Sequence, residues 1–332
     1  MRPRRVSILP FPGLRVGHAR DPELDSGVTV LRFDRAAPVA LVARGGASAT
    51  YDTGSLGLDA TFGRRWAIFF SGGSVYGLDA GRGVRTRLLE EGEGGHALGG
   101  AFPILPIAGA AIFDLPSRPG PIPDYLPLGY EATRSASSRP FPSGRIGAGA
   151  GATLGKYLGR RSASRGGLGA LAVQEPFGRI GALAVVNAAG AVRDPETGRW
   201  LAGARDARGR IVPPAGQSHE RHRMAGGHTT LAAIVTDLAF DRPALARIAE
   251  IATAGAARTV VPYATSVDGD LTFAASTERR ALPRAAERPW ALVDAVGTAA
   301  AALLVEAIGR AVRSSGPTGP PADGSTRRAA PG

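Results

Sequence analysis

Residues 226–237, with the sequence GGHTTLAAIVTD, place two threonines directly after two glycines and a histidine. The threonines open an apolar, β-branched run, which predicts a buried strand. A threonine hydroxyl is a poor nucleophile unless a base activates it, and an N-terminal amine on the same residue can be that base. Such an amine has a pKa of about 7.7–8, so it is partly neutral at physiological pH.

The hypothesis that follows is that the chain cuts itself between His228 and Thr229, which would make Thr229 a new N-terminal residue. The alternative is that Thr229 and Thr230 simply begin a core strand. From this stretch alone the plain strand is the simpler interpretation, so the other polar residues of the chain must decide between the two.

Lys156 is the only lysine among the 40 basic residues, and Asn187 is the only asparagine. A chain that has replaced both residue types elsewhere indicates that these two positions need their side chains. An asparagine amide can donate a hydrogen bond to a developing oxyanion, and a lysine can add positive charge. Asp268 and Asp270 are two residues apart, so in an extended segment they point to the same side. The alternatives are a solvated lysine, an asparagine at a strand end and a turn-forming Asp-Gly-Asp.

The composition limits the other classes of function. At 332 residues with 44% hydrophobic residues, the chain can form one large domain or two small ones. It has no cysteine, which excludes disulfides, thiolate nucleophiles and cysteine metal sites. A net charge of +12 raises the possibility of nucleic-acid binding. The arginines are scattered along the whole chain and only 6% of residues are aromatic, so we expect no nucleic-acid partner.

Two stretches bear on localisation. Residues 1–10 begin with basic residues, but prolines interrupt the apolar run, so they do not predict a signal peptide. The longest apolar stretch, 291–309, contains Asp294 and Glu306, which favours a buried amphipathic helix over a membrane span. We expect a cytoplasmic protein with no membrane partner.

Three stretches do not match the binding or catalytic motifs that they partly resemble, and no cofactor or metal is expected. Ala150 and Tyr157 stand where a phosphate-binding P-loop around Lys156 needs glycine and serine or threonine. Residues 72–76 lack the last glycine of a serine-hydrolase elbow, and Ser74 is instead predicted to cap a helix over 75–91. His219 and His222 have no third ligand nearby in sequence, so they do not predict a zinc site.

Periodicity and turn residues predict a sheet-rich core flanked by helices. Further helices are predicted over 243–257 and 289–313. Residues 116–145 are interpreted as a surface excursion and 190–228 as a long, exposed, flexible segment leading to Thr229, since a structureless segment of that length is unusual unless it is functional. Residues 314–332 predict a disordered tail. Strands are predicted at 27–33, 39–44, 66–70, 167–173, 181–188 and 229–236. Residues 103–115 are predicted to form a strand pair or one long strand, and residues 267–273 a turn that enters a short strand.

Several short patterns resemble one family when they are taken in order. They are VGH at 16–18, SGGSVYGLDA at 71–80, GAGAGAT at 147–153, VVNA at 185–188, TTL at 229–231 with VTD at 235–237, and DGD at 268–270. Their order and spacing resemble the peptidase family of the L-aminopeptidase/D-esterases, β-peptidyl aminopeptidases and 6-aminohexanoate-oligomer (nylon-oligomer) endohydrolases. The resemblance covers about residues 14–312. The aminopeptidase branch looks like Ser-x-Glu at 268–270, so DGD there resembles the nylon-oligomer branch.

The resemblance implies an α/β fold, an α-β-β-α sandwich of the N-terminal-nucleophile type. It also implies an inactive precursor that cleaves itself into two associated chains, here 1–228 (with the flexible segment 190–228) and 229–332, of which 229–313 completes the same domain and 314–332 is the tail. Members of the family associate into larger assemblies, so a homo-oligomer is expected, with a tetramer as one arrangement.

The family's catalytic positions fall on Thr229 as nucleophile, Lys156 and Asn187 as charge and oxyanion donor, and Asp268 and Asp270 as partners that orient the Thr229 amine and hydroxyl. There are two departures. His228 stands where relatives of this branch have asparagine before the cut, but an acyl shift uses the carbonyl of residue 228 and does not need its side chain. Phe113 stands where some relatives have an oxyanion-assisting tyrosine, and phenylalanine has no donor.

The sequence thus predicts a self-processing amidohydrolase acting on a small linear amide or peptide, with 6-aminohexanoate oligomers among the candidate substrates. The first alternative is an aminopeptidase that releases N-terminal residues from peptides, amides or esters. The second is a non-catalytic, arginine-rich binding protein on the same scaffold.

Overall fold

The computed structural model describes residues 4–6, 10–95, 100–115, 123–214, 228–283 and 289–315. Four α-helices lie in these ranges: α1 Ala80–Glu90, α2 Leu126–Arg134, α3 Arg242–Thr259 and α4 Pro289–Arg313. The strands are β1 Arg4–Val6, β2 Leu14–Asp21, β3 Ser26–Ala43, β4 Ala49–Tyr51, β5 Arg64–Ser71, β6 Ile107–Ala111, β7 Thr153–Leu154, β8 Ser164–Arg165, β9 Gly167–Glu175, β10 Gly178–Asn187, β11 Ala191–Arg193, β12 Trp200–Ala202, β13 Thr229–Leu238, β14 Val260–Val261 and β15 Leu271–Arg280.

Strand β3 joins two sheets. Its second half pairs with β15 and ends a sheet of order β1-β9-β10-β13-β15-β3. Its first half lies between β2 and β5 in a second sheet, which continues through β6 to β4. The pairing of β3 with β5 is irregular between Arg32 and Ala37, and a bulge of this kind bends a strand. The hydrogen-bonded path is therefore continuous although the strands form two layers.

The two sheets pack face to face and helices cover both outer faces. Leu31 and Phe70 of the second sheet share an apolar core with Leu231 and Phe273 of the first. Helices α3 and α4 pack on the outer face of the first sheet, and α1 and α2 pack on that of the second. This is the predicted α-β-β-α sandwich.

Strand β13 lies in the middle of the first sheet, antiparallel to β10 and parallel to β15. All ten of its residues are buried, which explains the unbroken apolar run after Thr230. Its first residue, Thr229, is paired with Asn187, the last residue of β10. The strand register thus brings two of the predicted site residues together.

The helix predicted over 75–91 begins later than expected, and Ser74 is not its cap. Gly73 and Ser74 both have positive φ angles, 80° and 56°, and a short 3₁₀ helix follows over Ser74–Asp79. The α-helix begins only at Ala80. The N-cap position of the 3₁₀ helix is Gly73 and that of α1 is Asp79, so Ser74 caps neither helix.

Two predicted irregular segments contain regular structure. The surface excursion 116–145 includes α2, which packs against the second sheet; residues 116–122 lie outside the described ranges. The predicted flexible segment 190–228 is wrong for its first half, because β11 and β12 form a small sheet with β14 there. Residues 215–227, with His219 and His222, lie outside the described ranges, as do residues 316–332 of the predicted tail.

Helix α4 is long and apolar enough to cross a membrane by length and composition, with a mean hydropathy of 1.8 over its most apolar window. One face of the helix packs on α3 and the first sheet, where Ala300, Leu304 and Ile308 are fully buried. This contact agrees with the predicted buried amphipathic helix.

We expect Gly169→Ala to destabilise the protein, because β9 and α4 are in direct contact at this glycine. A Cβ at Gly169 would lie 2.0 Å from the carbonyl oxygen of Ala307. Overpacking of this kind costs about 1–3 kcal/mol. The thermal midpoint measured by circular dichroism should fall, whereas Gly54→Ala, where nothing lies within 4 Å of the new Cβ, should leave it unchanged. Equal midpoints for the two variants would contradict the close contact.

Candidate active site

The peptide bond between His228 and Thr229 is buried at the start of β13. Thr229 is 5% exposed, and its Oγ1 donates a hydrogen bond of 2.6 Å to the carbonyl oxygen of His228. The backbone N–H of Gly269 donates to the same oxygen at 2.7 Å. One carbonyl therefore receives two hydrogen bonds, one from the proposed nucleophile and one from the 268–270 segment.

Asn187 and Lys156 form a buried pair beside Thr229. Lys156 Nζ donates to Asn187 Oδ1 at 2.9 Å and to the Asn187 carbonyl at 3.1 Å. Asn187 Oδ1 also accepts from the Thr153 N–H at 3.0 Å, while Nδ2 donates to the Phe113 carbonyl at 3.0 Å. Since the Thr153 N–H can only donate and the Phe113 carbonyl can only accept, these contacts fix which end of the amide is the oxygen.

The loop that supplies Lys156 is held along the end of β10. Gly155 has a φ of 74°, and its N–H donates to the Gly190 carbonyl, while the Lys156 N–H donates to the Ala189 carbonyl. These bonds turn the chain so that the lysine side chain reaches Asn187. The glycine-rich stretch that does not match a P-loop thus places Lys156 in contact with Asn187.

Asp268 and Asp270 are both buried, and backbone N–H groups hold their carboxylates. Asp270 accepts from Thr230 at 2.5 Å and from Ala264 at 2.8 Å, and Asp268 accepts from Thr265 at 2.7 Å. The other oxygen of Asp268, Oδ1, is buried and has no hydrogen-bond partner among the described residues. Hydrogen bonds thus hold the 268–270 segment to the start of β13, and Asp268 Oδ1 remains available as an acceptor.

Burial shifts the pKa values of Lys156 and Asp270 so that both side chains are partly uncharged near pH 7. Burial, followed by the nearby Arg160, lowers the pKa of Lys156 to about 7, while Asp114 and Asp268 oppose the shift. Burial raises the pKa of Asp270 to about 7, with Asp268 as the second cause. The Lys156 amine, expected from the sequence to supply positive charge, is therefore also partly neutral near pH 7 and can accept a proton.

The His228 ring lies among cations. It is 1% exposed, and within the described part of the chain neither ring nitrogen has a hydrogen-bond partner. Burial, followed by Lys156 and Arg160, lowers the pKa of His228 to about 4. The imidazole is therefore neutral at pH 7 and occupies an enclosed volume next to the proposed nucleophile.

Phe113, the second departure from the family pattern, contributes through its backbone. Its carbonyl oxygen accepts from Asn187 Nδ2, and the guanidinium of Arg160 lies 5.6 Å from the centre of its ring. Cation–π contacts at this distance are favourable. An arginine, which the sequence did not single out, thus lies beside the position where a tyrosine donor is missing.

Asp114 is the residue that reasoning from the sequence missed. Its carboxylate accepts from the Gly73 N–H at 2.7 Å and from the Ser26 hydroxyl at 2.8 Å. Burial raises its pKa to about 6, with these hydrogen bonds and Lys156 acting in the opposite direction. A Cβ at Gly72 or Gly151 would lie within 2.7 Å of its carboxylate. Two glycine-rich motifs therefore make room for a carboxylate that sits close enough to Lys156 to influence its charge.

All five predicted catalytic residues are at one end of the first sheet. Thr229 and Asn187 are paired across β13 and β10, Lys156 is bonded to Asn187, and the 268–270 segment is bonded to residues 228 and 230. Within the described ranges, no three histidine or acidic side chains are grouped so that they could hold a metal ion. A hydroxyl, an amine with a pKa of about 7 and a directed backbone donor are the parts that acyl transfer requires.

Comparisons with known proteins agree with this chemistry. The chain is 37% identical over 329 residues to an uncharacterized aminopeptidase of Mycobacterium tuberculosis, covering 91% of this chain and 92% of that protein. It is 31% identical over 321 residues to a 6-aminohexanoate-oligomer endohydrolase of Paenarthrobacter ureafaciens, covering 92% and 84%.

Two solved structures share the fold at low sequence identity. The L-aminopeptidase D-Ala-esterase/amidase of Ochrobactrum anthropi, described as a variant of the Ntn hydrolase fold, aligns with a TM-score of 0.64 at 19% identity over 93% of this chain and 86% of that one. A β-aminopeptidase of a Burkholderia species aligns with a TM-score of 0.61 at 19% identity, over 94% and 87%. These likenesses confirm the sandwich architecture.

The family assignment rests on nearly the whole chain. The sequence pattern that describes peptidase family S58 matches residues 7–323. A match of this extent does not fit the non-catalytic binding protein that the sequence left as an alternative. The chain belongs to peptidase family S58 and is a hydrolase of amide or peptide bonds.

Proposed function

We propose that this hydrolase is made as a precursor that cleaves its own bond between His228 and Thr229, and that Thr229 is then the nucleophile toward linear amides. The observation that carries the proposal is the 2.6 Å contact between Thr229 Oγ1 and the carbonyl oxygen of the residue before it. It places the hydroxyl beside the one peptide bond whose cleavage would give that residue a free amine.

The chemistry has two balanced steps. Thr229 Oγ1 attacks the His228 carbonyl carbon; the C–O bond forms, the C–N bond breaks, and the hydroxyl proton ends on the departing nitrogen, which leaves an ester and a free amine. Water then attacks the ester; its oxygen joins the carbonyl carbon, the bond to Oγ1 breaks, and Oγ1 regains a proton. The products are a carboxylate at His228 and a free N-terminal Thr229.

The base must differ between the two stages. In the precursor the Thr229 nitrogen is an amide, which is not basic enough to take the hydroxyl proton before the C–N bond breaks. Lys156 is the group that can act as the base in the precursor. It has a pKa near 7 and donates a hydrogen bond to Asn187, the cross-strand partner of Thr229. After cleavage the Thr229 amine can take over as base. The unpartnered Oδ1 of Asp268 is an acceptor that suits the new amine.

The substrate class follows from the relatives. The Paenarthrobacter relative is named for 6-aminohexanoate oligomers, so we propose linear oligoamides of this type as substrates. The mycobacterial relatives are named as aminopeptidases, which supports release of N-terminal residues from short peptides as the second candidate. Both reactions proceed through the same acyl ester on Thr229.

Purified protein should separate into two fragments, 1–228 and 229–332, on a denaturing gel. Sequencing from the N-terminus of the smaller fragment should read Thr-Thr-Leu. The cleaved protein should then be assayed against a 6-aminohexanoate oligomer and an aminoacyl anilide, and the faster substrate selects between the two candidates. A single intact band that persists after long incubation, with activity present, would contradict the self-processing proposal.

A further inference from the structure

The carbonyl oxygen of His228 already accepts a hydrogen bond from a backbone donor. The N–H of Gly269 reaches it at 2.7 Å, in the parallel bridge that pairs His228 with Asp268. When Thr229 Oγ1 attacks, this oxygen gains negative charge and the hydroxyl gives up its proton. The contact from Gly269 then remains and shortens as charge develops.

The Gly269 N–H is held in place before any reaction. The carbonyl of Asp268 accepts from Ala47, and the carbonyl of Asp270 accepts from Arg44 and Gly45, all through backbone N–H groups at 2.8–3.0 Å. Both neighbouring carboxylates are fixed by further backbone donors. A donor that is oriented in advance costs no reorganisation when the charge forms.

Glycine is required at this position because the nucleophile occupies the space of a side chain. A Cβ on residue 269 would lie 2.6 Å from Thr229 Oγ1 and 3.2 Å from Thr229 Cγ2. The absence of a side chain lets the backbone N–H and the hydroxyl approach the same carbonyl together.

We propose that the Gly269 N–H is the oxyanion donor both for self-cleavage and for hydrolysis of the substrate, an inference that rests on the function proposed above. The ester that self-cleavage forms and the acyl-enzyme that a substrate forms have the same reacting atoms, an acyl carbon on Thr229 Oγ1. His228 therefore occupies the position that the acyl part of an amide substrate takes in the cleaved enzyme, and its carbonyl oxygen marks where the substrate oxyanion forms.

This assignment adds a second donor to the one that the sequence suggested. Asn187 is predicted to donate to the oxyanion, and in the structure its Nδ2 donates to the Phe113 carbonyl. Its Oδ1 accepts from Lys156 and Thr153. Asn187 thus also orients the lysine, and the Gly269 N–H is a backbone donor to the scissile carbonyl.

The test removes only the N–H. Glycolic acid, introduced at position 269 of the full chain by nonsense suppression, replaces the amide with an ester and adds no side chain. Self-cleavage, followed as the appearance of two bands over time, should slow by about 10²- to 10³-fold. Turnover of a 6-aminohexanoate oligomer, expressed per cleaved chain after long incubation, should fall by a similar factor.

The matched control is the same replacement at Gly209, whose N–H donates to the Asp206 carbonyl in an exposed turn. It should cleave at the wild-type rate. Wild-type cleavage by the Gly269 ester would overturn the inference, and slow cleavage with normal turnover per cleaved chain would overturn the shared role.

A second variant, Gly269→Ala, keeps the N–H but places a methyl group against Thr229 Oγ1. It should also cleave slowly, and rapid cleavage would show that the close approach is not needed. The proposed function is tested separately by a Thr229 variant. If chains without the Thr229 hydroxyl still split at residue 228, the function itself fails, whereas a normal Gly269 ester in a Thr229-dependent enzyme refutes only the role of Gly269.

Discussion

The Thr229→Ala variant is expected to remain a single chain of 332 residues and to lose amide hydrolysis. Without the hydroxyl no ester can form at the His228 carbonyl, so neither self-cleavage nor an acyl-enzyme is available. Removal of a nucleophile from a hydrolase lowers turnover by about 10⁴- to 10⁶-fold. Denaturing gels and turnover of a 6-aminohexanoate oligomer measure the two losses.

Two controls separate chemistry from folding. Thr230→Ala removes the neighbouring buried hydroxyl, whose Oγ1 has no hydrogen-bond partner, and should still be cleaved. Thr229→Ser keeps a hydroxyl at the reacting position and should also be cleaved. If Thr229→Ala splits at the same bond, a different group attacks and the assignment of the nucleophile is wrong.

The Lys156→Met variant is expected to cleave itself about 10²- to 10⁴-fold more slowly, the range typical for loss of a general base. Methionine fills most of the same buried volume but cannot accept the Thr229 proton. In the wild type the active form is the neutral amine, and this form becomes more abundant as the pH rises through about 7. The rate of self-cleavage should therefore rise between pH 6 and 8 and level off above, as measured by gel time courses in a buffer series.

Lys156→Arg discriminates between a base and a fixed positive charge. An arginine side chain can still donate to Asn187 but stays protonated throughout this range, because the pKa of a guanidinium is far above it. If Lys156 acts as the base, the Lys156→Arg variant should be as slow as the methionine variant at every pH. Recovery of the wild-type rate in Lys156→Arg would show that only the positive charge matters. The carboxyl of Asp270 titrates near the same pH, so the variant, and not the profile alone, makes the assignment.

The elements that were predictable are those whose pattern is strong over a long stretch. Helix α4 has the predicted bounds, because a long segment after Pro289 that is rich in alanine and leucine favours a helix over most of its length. The buried strand at Thr229 follows from its β-branched, apolar run. The short strands β11 and β12 could not be predicted, because three-residue strands are stabilised by partners such as β14 that are distant in sequence.

The candidate site likewise contains residues that could be predicted from the sequence and others that could not. Residue rarity and spacing identified Thr229, Lys156 and Asn187, since these depend on side-chain type. Asp114 was missed because its surroundings come from Ser26 and Gly73, which only the fold brings together. The Gly269 N–H was missed for a different reason: a backbone donor has no signature in residue type, and its direction is known only once β13 and the 268–270 segment are paired.

The central position of β13 in the first sheet has a consequence for the lifetime of the folded state after the proposed cleavage. Residues 229–332 contribute β13 and β15, which lie between β10 and β3 of the first fragment, so the two fragments interlock within one sheet. A precursor that unfolds can refold as a single chain at any concentration. Once the bond is cut, refolding becomes a second-order encounter between two pieces that each lack part of the sheet. Cleavage would thus convert a reversible fold into one whose lifetime is set by its unfolding rate, so each molecule would be assembled once, as a precursor, and would not be rebuilt after it unfolds.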